Sequence, residues 1–102
     1  MSDAEYVDGD VNVVAQQSPS VPSAPTAARV LRYIAESMAD DPSAVSVEVG
    51  ERHDRVVLSL NVAPDDMGRI IGRRGRTAQA IRVLVGAAGA RDGVTTSVDI
   101  VD

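Results

Sequence analysis

The sequence predicts an α+β domain, and three observations predict it. Apolar residues recur at helical spacing in two long stretches, AARVLRYIAESMAD and TAQAIRVLVGAAGA. They alternate with polar residues in AVSVEVG, RVVLSLNV and VTTSVDIV, the period of a half-buried strand. Between the second and third of these strands, the glycine-bounded and arginine-rich run IIGRRGR at 70–76 interrupts the helical pattern.

Residues 1–25 hold the acids Asp3, Glu5, Asp8 and Asp10 and the run SPSVPSAP, with little periodicity, and are expected to be a disordered extension. VNVV at 11–14 is the exception, with the pattern of a short strand or a partner-binding stretch. The folded domain is expected over 26–102. Thr26, after Pro25, suits a helix N-cap. Ala27, Val30, Leu31, Ile34 and Met38 form the apolar stripe of the first helix, and Arg32 and Glu36 pair on its outer face. Asp40-Asp41-Pro42 stops it. Val45, Val47 and Val49 mark a first strand, residues 50–54 a polar turn, and Val56, Leu58, Leu60 and Val62 one face of a second strand. Pro64 begins a short helix, PDDMGRII, with Asp65 and Asp66 complementing its dipole. After Gly75 a longer helix buries Ala78, Ile81, Leu84, Val85 and Ala88. Gly86 and Gly89 each cost ~1 kcal/mol relative to alanine and weaken its C-terminal end. Asp92-Gly93 is a turn before the last strand.

Composition excludes several chemistries. The 102 residues contain no cysteine, so disulfides, thiolate catalysis and cysteine metal sites are absent. All ten basic residues are arginine, which removes Schiff-base chemistry and the phosphate-loop lysine of Walker-type sites. His53, the sole histidine, sits in the expected turn, and no second histidine completes a zinc set. Asp65 and Asp66 are neighbours on a helix and diverge by roughly 100°, a poor acid–base pair. No apolar run approaches the ~20 residues of a membrane span, and the acidic N-terminus is unlike a signal peptide. A non-enzymatic cytoplasmic protein without cofactor or metal is expected.

A net charge of −5 argues against nucleic acid, but its distribution reverses that conclusion. The first 25 residues carry −4, whereas Arg69, Arg73, Arg74, Arg76, Arg82 and Arg91 lie in a segment without acids. A polyanion responds to the field within about a Debye length, ~8 Å at physiological salt. The loop leads into a helix N-terminus, where unpaired N–H groups and the positive dipole end attract anions. Gly72 and Gly75 let a phosphate backbone approach protein backbone, Arg73 and Arg74 meet phosphates, and Arg69 and Arg76 flank them. An aliphatic wall of Ile70 or Ile71 with Ile81 would accept bases. Tyr6 and Tyr33 are the only aromatics, which disfavours folds that stack bases on aromatic platforms.

The I-I-G-x-x-G pattern between two helices, after two strands and before one, resembles the KH domain, which clamps about four nucleotides with its glycine loop. A leading helix and strand, with only about a dozen residues after the last helix, resemble type II. VAPDDMGRIIGRRGRTAQAIRVLV is similar to the small bacterial single-KH proteins of the KhpA (YlqC) family, with Arg73 where that family more often has lysine. The resemblance implies a three-stranded mixed sheet with three helices on one face. It also implies single-stranded RNA as ligand, a role as RNA chaperone or post-transcriptional regulator, and dimerisation with itself or with a larger KhpB-type KH protein. The alternative is a protein-interaction module with incidental RNA contact, which the acidic extension favours.

Overall fold

The computed structural model describes residues 23–101, so most of the expected extension, VNVV included, lies outside the described residues. The first helix, α1, runs Pro25–Met38. Proline suits a first turn, where an absent N–H breaks no bond, so the helix begins one residue before the expected cap. Thr26 is not that cap. No side chain at the N-cap position, Ala24, does the work. Asp92 does it from the far end of the chain: its carboxylate accepts the Thr26 N–H at 3.1 and 3.2 Å and the Ala27 N–H at 3.0 Å. Ala27, Leu31 and Ala35 face inward, and Arg32 lies 3.9 Å from Glu36 on the outer face as expected.

The Asp92 carboxyl is held below its ordinary value of 3.8. Partial burial, the largest influence, pushes it up, but the hydrogen bonds from Thr26 and Ala27 and the Arg29 guanidinium outweigh it. A carboxyl depressed by folding stabilises the protein above its unfolded pKa, and that contribution is lost as pH falls through the folded pKa. Asp92→Asn is therefore expected to lower the urea midpoint at neutral pH and to make its decline below about pH 4 shallower. Parallel midpoint-versus-pH curves for the two proteins would contradict this anchor.

A single 3-10 turn at Pro42–Ala44 leads to β1, Ser46–Arg52. β2 spans Arg55–Asn61 and β3 Thr95–Ile100. The expected turn over 50–54 is shorter than its composition suggested. Gly50, Glu51 and Arg52 stay paired with β2, and only His53 and Asp54 turn the chain, with Arg52 opposite Arg55. His53 takes the positive φ of 57° that such a tight turn requires. Strand order is β1-β2-β3, with β1 antiparallel and β3 parallel to β2. The parallel pair needs a long crossover, and the helical segment between β2 and β3 supplies it.

Val56, Leu58 and Leu60 of β2 project from one face of the sheet into a core with Leu31, Ile70, Ile81, Val85 and Val98. The last helix, α3, covers that face. It runs unbroken from Arg76 to Arg91, through both of its glycines. Gly89 is buried, and a Cβ there would fall 2.5 Å from Thr96 Cγ2, so glycine lets the helix lie against β3. The helix closes on Gly93, at φ 77°, with Gly93 N–H donating to Ala90 O and Val94 N–H to Gly89 O, the Schellman pattern. Leu84 departs from the expected stripe. The buried line is Ala78, Ile81, Val85, Ala88 and Gly89, and Leu84, about 90° round the helix from it, is 54% exposed. The α-β-β-α-α-β order and the mixed sheet are those expected.

Candidate nucleic-acid interface

The interface is built from the end of β2 onward. Pro64–Asp66 form one 3-10 turn, and a five-residue helix, α2, follows over Met67–Ile71. Asp66, expected to complement a helix dipole, has a different task. It is 2% exposed, and its carboxylate accepts the N–H groups of Asp40 at 3.0 Å and Asp41 at 3.1 Å. These bonds satisfy an otherwise costly buried carboxylate and tie the start of α2 to the chain leaving α1.

Ile70 turns inward and is fully buried, while Ile71 faces out. Gly72 ends α2, its N–H donating to Gly68 O at 2.8 Å. Its φ of 75° with ψ of 176° is a backbone region open essentially to glycine alone. A Cβ at this point would also run into the Thr77 side chain. Arg73–Gly75 form one further turn, in which Arg74, φ 57° and ψ 26°, and Gly75, φ 74° and ψ 12°, are both left-handed. The Gly75 N–H donates to Gly72 O at 3.2 Å. Gly75 holds the N-cap position of α3, and no side chain caps that helix. The positive end of a 16-residue helix is thus left open to an anion.

Arg73, Arg74 and Arg76 are exposed around this bend. The ion pairs among the described residues join Arg32 to Glu36, Arg52 to Asp99 and Arg69 to Asp40, and involve none of the three. Arg69 therefore separates from the group expected to flank the loop. Its Nη1 donates to Asp40 Oδ1 at 2.7 Å and to Met38 O at 3.1 Å, back toward the end of α1. The hydrogen bond with Arg69, then its charge, holds the Asp40 carboxyl below the usual range, and the same contacts raise Arg69.

The aliphatic wall also shrinks. Ile70 and Ile81 have 0% and 2% of their surface exposed, because the core claims both, and of the three only Ile71, at 37%, reaches solvent. Arg82, which the sequence did not distinguish from surface charge, donates its Nε–H to Val98 O at 3.3 Å. Val101 N–H bonds to Leu60 O, so alternation along β3 turns the Val98 carbonyl away from β2, onto the outer edge of the sheet. Arg82 thus bridges α3 and that edge. Among the described residues there is no cluster of three or more potential metal ligands, and no helix long and apolar enough to cross a membrane.

Comparison with known proteins follows the same lines. The KhpA/KhpB KH-domain family matches residues 28–100. The RNA-binding protein KhpA of Caldanaerobacter subterraneus is 42% identical over 72 residues, 71% of this chain and 96% of that protein. The RNA-binding protein KhpA of Streptomyces coelicolor is 44% identical over 72 residues, 71% of this chain and 87% of that one. Among solved structures, Era bound to MgGDPNP and nucleotides 1506–1542 of 16S ribosomal RNA aligns with a TM-score of 0.53 at 15% identity, over 92% of this chain and 35% of that one. Aquifex aeolicus Era Y63A bound to GDP.AlF4- aligns at 0.52 and 16% identity, over 72% of this chain and 29% of Era. At such identities these two matches speak for the fold alone, and this chain spans about a third of each. By its family match and by its identity to these relatives, the chain belongs to the KhpA/KhpB KH-domain family.

Proposed function

We propose that the protein binds single-stranded RNA by seating the sugar-phosphate backbone on Gly72–Gly75, with Arg73, Arg74 and Arg76 meeting phosphates and Ile71 touching a base. One observation carries this reading: a glycine-only backbone bend sets three arginines without carboxylate partners, among the described residues, at the uncapped start of α3. The relatives' name, RNA-binding protein KhpA, supports it. A short unstructured oligoribonucleotide should bind with log K falling by roughly 0.7 per log unit of salt for each phosphate held. Salt-independent binding would count against the loop.

The proposed role is that of a cytoplasmic RNA chaperone or post-transcriptional regulator, without cofactor or catalysis. One KH module holds few phosphates, and pairing two raises avidity without a new contact. The pairing surface proposed is on α3. Ala80, Val83, Leu84 and Ala87 form an exposed apolar stripe opposite the buried one, with Val83 67% and Leu84 54% exposed. Its small residues would let a second helix approach closely, and it carries no charge, which suits a two-fold contact with another copy or with a larger KhpB-type KH protein. Leu84→Glu is expected to leave the fold intact and convert a dimer to monomer in light scattering. An unchanged mass would remove the stripe as the pairing surface. The same stripe favours the interaction-module reading as a companion role.

A further inference from the structure

The β1–β2 hairpin carries two arginines that the loop does not use, in a cavity that also holds two aspartates. Arg52 and Arg55 are direct cross-strand partners flanking the His53-Asp54 turn, and Thr95 is the β3 partner of Arg55. Because Val56, Leu58 and Leu60 face the helices, Arg55 and its neighbours Thr95 and Ser97 lie on the opposite, open face of the sheet. There they line a cavity of about 480 Å³ together with Asp54 and Asp99.

Like charges placed directly opposite across strands destabilise a hairpin. Among the described residues no ion pair or side-chain hydrogen bond engages Arg55. Arg52 reaches Asp99, but at 3.8 Å with both side chains at least half exposed, a weak contact that a phosphate can displace. Two guanidinium groups and the hydroxyls of Thr95 and Ser97 line this one cavity as donors, beside the carboxylates of Asp54 and Asp99. Its first β3 residue, Thr95, follows the C-terminal end of α3, about 24 Å along that 16-residue helix from the glycine loop, and the cavity lies on the sheet face that the helices leave bare.

We propose that this cavity is a second phosphate site, taking the backbone of an RNA segment other than the one on the loop. The proposal rests on the RNA-binding reading above. It gives a single chain two separated holds on RNA, as a protein that brings two segments together requires. Arg52 exchanges Asp99 for the incoming phosphate, and the charges of Asp54 and of the released Asp99, which line the same cavity, oppose binding and keep the site weaker than the loop.

The test uses the full chain, a five-nucleotide and a thirty-nucleotide unstructured RNA, and the double variant Arg52→Gln, Arg55→Gln. The variant should melt at or above the wild-type temperature, because a repulsive pair is gone. Its affinity for the short RNA should stay within about twofold. Affinity for the long RNA should fall roughly three- to tenfold, with a salt slope shallower by about 1.4, the share of two phosphates. Unchanged long-RNA affinity and slope would overturn the second site, as would equal losses for both RNAs. Arg55→Gln alone, which keeps the Arg52–Asp99 pair, should give about half the change in slope. If wild-type protein does not bind the short RNA, the loop reading fails instead, so the two failures are distinguishable.

Discussion

Replacing Arg73 and Arg74 together by aspartate is expected to lower RNA affinity by on the order of 100-fold while leaving the fold intact. Each charge-assisted phosphate contact contributes at least ~1.4 kcal/mol, a factor of about ten, and reversing the sign adds repulsion. Stability should change little, because both side chains are exposed and neither has an ionic partner among the described residues. The left-handed conformation at Arg74 tolerates aspartate at least as well as arginine. Filter binding or anisotropy gives the affinity and circular dichroism the fold. A folded variant with undiminished affinity would contradict the proposal. Arg69→Ala serves as a control: it breaks an exposed pair with Asp40 and should change RNA affinity far less.

The second large effect is structural. Gly72→Ala should cost about 2–3 kcal/mol, a fall of roughly 10 °C or more in melting temperature for a domain of this size. Two penalties combine: a φ and ψ that an L-residue scarcely visits, and a methyl group driven into Thr77. Adding Thr77→Ala should recover part of the loss, since it relieves the clash and not the backbone strain. Gly75→Ala should cost only about 1 kcal/mol, because its left-handed conformation is commoner and its Cβ would meet open space. Equal costs at the two glycines would show that the loop is not held in this bend. The glycines thus differ in kind: Gly72 is required by geometry and contact, and Gly75 by a milder preference.

Local signals carried much of this structure into the sequence. Alternation revealed three strands, helical spacing revealed α1 and α3, and the arginines between glycines indicated the exposed bend. What stayed hidden depends on partners far along the chain. Asp92 reads as a turn residue until α1 lies beside it, some 65 positions away in sequence. Asp66 reads as a dipole partner until the chain leaving α1 wraps over it. Gly89 looks like a helix breaker, and the reason for it is Thr96 on a strand not yet formed. Periodicity could not separate Leu84 from Val85, since α3 is apolar on two faces and tertiary packing chooses one. Within the candidate site, charge was legible and pairing was not. Arg69 carries the same side chain as Arg73, yet Asp40, placed by the end of α1, takes it away from the loop. Ile70 and Ile71 are adjacent, and only the register of a five-residue helix decides which of them meets solvent.

RNA seated on the bend between α2 and α3 would lie against the backbone of Gly72–Gly75. Titration of 15N-labelled protein with a five-nucleotide RNA tests this most directly, followed amide by amide. The largest shifts are expected at Gly72, Arg73, Arg74, Gly75 and the first turn of α3, with small changes along β1. Binding that shifts the sheet or the Val83–Leu84 stripe while the Gly72–Gly75 amides stay still would contradict it.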